Sequence, residues 1–153
     1  MEGISSATNE LDLGSLLPNL STLIGWIEFL LGLAVMIGPL LLLGFGLLYL
    51  FRPPKEANFG IGYRFWWGMS SLEAWQFTQK LAGKIWTGLG GALTIFMLVI
   101  CISFGSLDPL TMAMRAGFCL LCQIVLISIA CVAINIVVMV HFDKDGFRRG
   151  ETE

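Results

Sequence analysis

Residues 29–51 read FLLGLAVMIGPLLLLGFGLLYLF, and no charged side chain interrupts them. Two further charge-free runs lie at 85–107 and 116–140. A helix needs about 20 apolar residues to cross the hydrocarbon core of a bilayer, and each run is at least that long. Only 13% of the residues are charged, against about 25% in soluble domains, which is too few to cover a soluble core. The sequence predicts an all-α integral membrane protein with three transmembrane helices at these positions.

The three predicted spans divide the chain into a membrane domain and two tails. Residues 1–25 are expected to be a polar N-terminal tail, 26–142 the membrane domain and 143–153 a charged tail. A long loop, 52–84, separates the first two spans. The chain starts with acidic residues and without a basic segment, unlike a secretory signal. We therefore expect the first span to remain as an anchor.

The distribution of basic residues predicts the orientation in the membrane. The N-terminal tail has no Lys or Arg, and the short loop between the second and third spans has only Arg115. The long loop and the C-terminal tail contain the others: Arg52, Lys55, Arg64, Lys80, Lys84, Lys144, Arg148 and Arg149. Basic residues near spans concentrate on the cytoplasmic side. The pattern predicts a multi-pass protein of the cell membrane with the N-terminus outside and the C-terminus in the cytoplasm.

The long loop contains a signal for the start of a helix. Ser70-Ser71-Leu72-Glu73 matches a capping box, with Ser70 as N-cap and Glu73 three residues later. Glu73, Gln76, Lys80 and Lys84 then recur every three or four residues and form one polar stripe. This pattern predicts a cytoplasmic amphipathic helix before the second span, either lying on the membrane or packed under the bundle.

Three polar side chains within or beside the spans are candidates for intramembrane contacts. Glu28 lies at the outer boundary of the first span, or inside the hydrocarbon if that helix begins as early as Leu20, and it would then need a partner. Gln123 and Asn135 lie in the third span. Such groups seek hydrogen bonds between helices, and a ligand or ion contact is the alternative.

Proline and small residues suggest how the spans pack. Pro39 lacks a backbone donor and is expected to kink the first helix. In the second span Thr87/Gly91 and Gly88/Ala92 are small residues four positions apart. Such pairs let helices approach closely, and they predict internal packing or a homodimer seam.

The cysteines and the histidine of the chain do not form a convincing redox or metal site. Cys119 and Cys122 have the spacing of a redox pair but lie inside the third span, where cysteine usually packs as a small apolar residue. His141 is the only histidine, which is a poor signal for a metal site. No catalytic motif and no basic block are present. We expect a non-enzymatic protein without catalytic residues, metal or cofactor, and without direct contact to nucleic acid.

The long loop contains a series of short motifs in a fixed order. Asn58 and Gly62-Tyr63-Arg64 come first, then Met69-Ser70, and Glu73-Ala74-Trp75 precede the second span. Over about 40–142 the chain resembles the SdpI family, bacterial membrane proteins named for immunity to a sporulation-delaying peptide toxin. It departs from the family pattern at four positions. Phe65 lies where the family usually has Thr or Ser, Trp66 and Trp67 lie where Pro and a basic residue are common, and Gln79 lies where Asn is common.

The resemblance implies a function and a set of contact residues. It implies resistance to, or sensing of, a membrane-active peptide toxin, with a cytoplasmic regulator as a second partner. The motif residues that would contact a ligand or partner are Asn58, Gly62, Tyr63, Arg64, Glu73 and Trp75. Arg64 is the strongest candidate: its guanidinium could stack on an aromatic ring, pair with Glu73 or bind a lipid phosphate. Alternatively it is only a cytoplasmic anchor.

Two other functions fit the same sequence. The small-residue faces suit an accessory or structural subunit of a larger membrane complex, or a homo-oligomer. A transporter component is also conceivable if the protein oligomerises, with Glu28 as its best candidate residue. Apart from the lipid bilayer, no partner is identified by the residues themselves.

Overall fold

The described part of the chain forms a bundle of three long helices. The computed structural model describes residues 13–56 and 60–149, with the backbone alone for 13–20. The helices are α1 (Leu13–Phe51), α2 (Leu72–Ile102) and α3 (Pro109–His141). Two short 3-10 turns lie at Trp67–Met69 and Phe104–Ser106. Each long helix has the length and composition to cross a membrane, which confirms the all-α fold with three predicted spans.

The helices extend beyond the predicted spans at their N-terminal ends. α1 already begins at Leu13, within the predicted polar tail, of which 1–12 lie outside the described residues. α2 begins at Leu72 rather than Ile85, so it already includes the residues of the polar stripe. Charged residues such as Lys84 end an apolar run but do not end a helix, because they are good helix formers.

The two ends of the bundle are named for their connections. At the loop end, α1 ends, α2 begins and α3 ends. At the short end, Phe104–Ser106 lies in the connection between α2 and α3. Asp108 begins α3 there: its carboxylate accepts a hydrogen bond from the Thr111 amide (3.0 Å), and this bond lowers the pKa of the Asp108 carboxyl.

Glycines bring α1 and α2 into backbone contact. A Cβ added to Gly90 would lie 2.5 Å from the Leu43 nitrogen, and one added to Gly83 would lie 2.8 Å from the Leu50 nitrogen. A Cβ at Gly46 would overlap the backbone of Thr87. We call Gly46, Gly83 and Gly90 the glycine seam. Its contacts run antiparallel along both helices and fix their register.

The predicted small-residue pairs divide between the inside and the outside of the bundle. Thr87 lies at the glycine seam, and Gly91 lies near the Leu43 side chain. Gly88 and Ala92 face away from it: a Cβ at Gly88 would meet nothing within 4 Å, and Ala92 is exposed. Only the first pair therefore contributes to internal packing.

Gln123 repairs a defect that Pro39 creates in α1. Pro39 has no N–H, so the Val35 carbonyl lacks its usual helical donor. Gln123 of α3 donates its Nε2–H to that carbonyl oxygen over 3.0 Å. Gln123 is buried, and α1 continues through Pro39 as one helix. Gln123 thus forms a hydrogen bond between α3 and α1.

Apolar side chains cover much of the outside of the bundle. Large side chains such as Ile95, Leu121 and Val140 are more than half exposed. The interior holds a central cluster that includes Val35, Met97 and Met112. A second buried cluster lies at the loop end and contains Tyr49, Ala74, Ala82, Ile134, Val138 and Phe142. An apolar exterior is expected where lipid is the solvent.

Candidate functional site

The loop that follows α1 is fixed to α2 by the side chain of Gln79. The Tyr63 amide donates to Gln79 Oε1 (2.8 Å), and Gln79 Nε2 donates to the Tyr63 carbonyl oxygen (2.8 Å). Gln79 is fully buried. One side chain thus satisfies both backbone groups of Tyr63, as a neighbouring strand would do in a sheet. We call residues 60–71 the motif loop.

Tyr63 connects the motif loop to α3. Its hydroxyl donates to Asn135 Oδ1 (2.7 Å) and lies 3.2 Å from the Cys131 carbonyl oxygen. Its ring meets Trp86 of α2 edge-on, with 5.4 Å between the ring centroids. Burial, together with the neighbouring Cys131, raises the pKa of Tyr63 to about 12. The hydroxyl therefore stays protonated and donates, and the predicted intramembrane contact of Asn135 is with this loop.

Gly62 gives the chain the space and the conformation to bring Tyr63 into the bundle. Its φ is 139°, where L side chains are strained. A Cβ at this position would lie 2.5 Å from the Trp75 Cη2 atom. Trp75 is completely buried, and its indole Nε1–H donates to the Pro54 carbonyl oxygen (2.9 Å). Gly62 and Trp75 therefore form one packing unit under the motif loop.

Arg64 lies next to this buried unit but is itself exposed. Its charge lies near the Tyr49 hydroxyl. Within the described part of the chain, no residue forms an ion pair, a hydrogen bond or a ring stack with its guanidinium. Glu73, one of the alternative partners for Arg64, instead faces Arg148 of the C-terminal tail at 3.8 Å. Arg64 is therefore a cation without a partner among the described residues, on a fixed backbone.

The N-cap of α2 is Ser71, and the predicted N-cap, Ser70, is wrong by one residue. Ser71 has extended backbone angles and its Oγ accepts from the Ala74 amide (3.1 Å). Ser70 instead has helical angles, because it ends the preceding 3-10 turn, and its hydroxyl donates to the Trp67 carbonyl oxygen (2.6 Å). An N-cap requires non-helical angles, so the 3-10 turn moves the cap to Ser71.

The C-terminal tail folds back onto the start of α2. Ser71 donates its hydroxyl to the Gly146 carbonyl oxygen (2.8 Å). Gly146 has a φ of 81°, and a Cβ there would lie 2.6 Å from the Ser71 Cβ. Phe142 is buried against Phe77, with ring centroids 5.4 Å apart. The tail thus covers the N-terminus of α2 beside the motif loop.

The structure brings four of the predicted site residues together and separates the others. Gly62, Tyr63, Trp75 and Asn135 form the buried unit, and Arg64 lies on its exposed side. The exposed Glu73 joins the C-terminal tail, Gln123 lies in the centre of the bundle, and Glu28 lies at the short end beside Gly105. Asn58 lies outside the described residues.

Gln79 is a site residue that the sequence analysis did not select. A signal for it exists: Trp75, Gln79, Ala82 and Trp86 recur at helical spacing on the inner side of the polar stripe. A long amide on the apolar face of a helix needs a buried partner. The residues of the polar stripe are all exposed: Glu73, Gln76, Lys80 and Lys84.

The site offers hydrogen bonding and charge. In the described part of the chain, no three His, Cys, Asp or Glu side chains gather as metal ligands. The four cysteines are free thiols, and His141 lies against its own helix, with Nδ1 2.8 Å from the Val137 carbonyl oxygen. The arrangement suits a contact surface centred on Arg64.

Comparison with known proteins assigns the family. The model of the SdpI/YfhL protein family matches residues 55–141, which is more than half of the chain. The match starts in the loop after α1, contains the motif loop and α2, and ends with the last residue of α3. No significant match was found among curated proteins or among solved structures. This chain belongs to the SdpI/YfhL protein family.

Proposed function

We propose that this protein gives resistance to, or senses, a membrane-active peptide toxin, and that it does so without catalysis. The observation that carries the proposal is the family match over the motif loop and both following helices. Within that region the chain fixes Tyr63 in the bundle and leaves Arg64 exposed beside it. Such an arrangement presents a charged contact point in a defined position.

The connection through Tyr63 supplies a route from the helices to Arg64. Tyr63 holds both α2, through Gln79, and α3, through Asn135. A ligand that changes the packing of α2 against α3 would therefore change the position of the motif loop. This requires two packing states with different affinity for the ligand. A regulator that recognises Arg64 would then read the state of the bundle.

The proposed orientation places the loop end in the cytoplasm and the short end outside. Nearly all basic residues of the chain, Arg115 excepted, follow α1 at the loop end, and such residues are retained on the cytoplasmic side. A fluorescent protein fused to the C-terminus should be bright, and a periplasmic phosphatase fused there should be inactive. An active phosphatase fusion would reverse the orientation and place Arg64 outside.

Survival of toxin-sensitive cells tests the function. Cells that express the wild type should survive membrane-active peptides that kill cells with an empty vector. Arg64→Lys and Arg64→Ala, at matched membrane levels, should lose protection if bidentate guanidinium geometry matters, because Lys is a point charge. Lys80→Ala, which removes an exposed cation from the polar stripe, is the matched control and should still protect. Absence of protection by the wild type against every peptide would refute the proposal.

A second candidate is a subunit of a larger membrane complex. Gly88 and Ala92 face outward in the middle of α2, and no part of the bundle covers Gly88. Small residues at an open face allow a partner helix to approach closely. Co-purification of a stoichiometric partner, lost in Gly88→Leu, would favour this function. A monomer in mild detergent would weaken it.

A further inference from the structure

An open groove lies at the short end of the bundle. It runs along α1 toward the end of α2 and has a volume of about 530 Å³. Its walls are mostly apolar and include Phe29, Leu33, Met36 and Phe104. This volume is within the range of about 300–1,000 Å³ that is usual for ligand sites. Side chains of a ligand therefore have room there.

Among the described residues that line this groove, Glu28 is the one that carries a charge. It is half-buried, and its Oε1 lies so close to the connection that a Cβ at Gly105 would be 3.2 Å from it. No described residue forms a hydrogen bond or an ion pair with it. Arg115, at the same end of the bundle, directs its guanidinium to the Ser103 hydroxyl instead (3.4 Å). The carboxylate thus has no partner supplied by the described chain.

A carboxylate among apolar walls determines the ligand chemistry. Ionisable groups at membrane depth pair with an opposite charge. A metal ion would need several such ligands, whereas this groove has one carboxylate and apolar surface. A ligand that is apolar and carries one cation fits both features.

We propose that the groove binds an apolar peptide segment with a single cationic side chain, whose charge pairs with Glu28. The inference rests on the proposed function, since it assigns this chemistry to the peptide that the protein resists or senses. In the proposed orientation the groove faces the outer leaflet, where such a peptide arrives. The charge of the peptide sets its depth, and its apolar side chains fill the groove.

Direct binding to the full chain in phosphatidylcholine nanodiscs tests the proposal. The probes are a labelled apolar helical peptide with one lysine and its counterpart with norleucine, which keeps the alkyl chain without the charge. The lysine peptide should bind about tenfold more tightly than the norleucine peptide, as expected for a charge-assisted contact. Glu28→Gln should remove that difference, and Glu56→Gln, an exposed carboxylate at the loop end, should keep it.

A second variant tests the groove independently of the charge. A side chain at Gly25 would enter open space in the groove, because a Cβ there meets nothing within 4 Å. Gly25→Leu should therefore weaken both peptides at least tenfold. Equal binding of the two peptides to the wild type, no binding of either, or unchanged binding to both variants would overturn the proposal. If phosphatidylethanolamine in the nanodisc abolishes the preference for lysine, the groove takes a lipid amine and the proposal is also overturned.

The outcome separates this inference from the proposed function. If wild-type cells survive a toxin but Glu28→Gln protects equally, the function stands and the groove assignment fails. If the lysine peptide binds through Glu28 but no peptide toxin is resisted, the groove assignment stands and the function fails.

Discussion

The buried amide of Gln79 should determine the stability of the loop end. In Gln79→Leu the Tyr63 N–H and carbonyl would both lose their partners, which lie at 2.8 Å. An unsatisfied buried polar group costs about 1–3 kcal/mol. Tyr63 is half-buried, so water offsets part of this cost, and we expect a loss of about 2–4 kcal/mol in the free energy of unfolding. Leucine fills a similar volume, which keeps the effect of a cavity small.

Gln76→Leu is the matched control for this prediction. Gln76 lies three residues earlier on the same helix and is exposed, so the same exchange there should change stability by less than about 0.5 kcal/mol. Unfolding by SDS in mixed micelles, followed by tryptophan fluorescence, measures both variants. Trp75 and Trp86 border the site and report its opening. If the two exchanges differ by less than about 1 kcal/mol, Gln79 does not hold the motif loop and the reasoning is refuted.

Three further predictions use the same unfolding measurement. Gly62→Ala should lower the free energy of unfolding by at least about 2 kcal/mol, because the φ of Gly62 is positive and the Cβ of alanine would enter the buried indole ring of Trp75. An unchanged free energy of unfolding would exclude the positive φ at this position. Gln123→Leu should lower the free energy of unfolding by about 1–3 kcal/mol. The loss should be smaller in a Pro39→Ala background, where the Val35 carbonyl regains a helical donor. Equal losses in the two backgrounds would show that Gln123 does not compensate for Pro39. Tyr63 has a pKa raised from 10.0 to about 12, so the stability that its neutral hydroxyl contributes should be complete below pH 10 and lost as the pH rises toward 12. Tyr63→Phe should abolish that part of the pH dependence. If the free energy of unfolding of the variant still falls with pH in this range, another group causes the dependence.

The number of spans could be predicted because it depends on composition. A bilayer selects apolar runs by length, and that signal is local in the sequence. The ends of the helices were predicted less well. Charged residues such as Glu28 and Lys84 mark the edge of the hydrocarbon, but the hydrogen bonds of the helix continue beyond them. The N-cap was assigned to Ser70, one residue too early, because the 3-10 turn that moves it to Ser71 involves packing of Gly68 against Thr78, which the local sequence does not show.

The candidate site could be predicted by its location but not by its contacts. The motif loop carries more sequence information than a membrane span needs, and that pointed to Gly62, Tyr63 and Trp75. The partners of these residues come from distant positions, since Asn135 follows Tyr63 by 72 residues. Gln79 was missed because a polar residue near a predicted loop looks exposed. The pair of Glu73 with Arg148 depends on the fold of the C-terminal tail, which no local pattern indicates.

The most direct test separates the buried half of the motif from its exposed half. Survival under toxin and the free energy of unfolding should both be measured for Arg64→Ala, in membranes that contain equal amounts of protein. Arg64 makes no hydrogen bond or ion pair with a described residue, so we predict that unfolding changes by less than about 0.5 kcal/mol while protection is lost. Full protection by Arg64→Ala would contradict the account, and so would a loss of protection explained by unfolding.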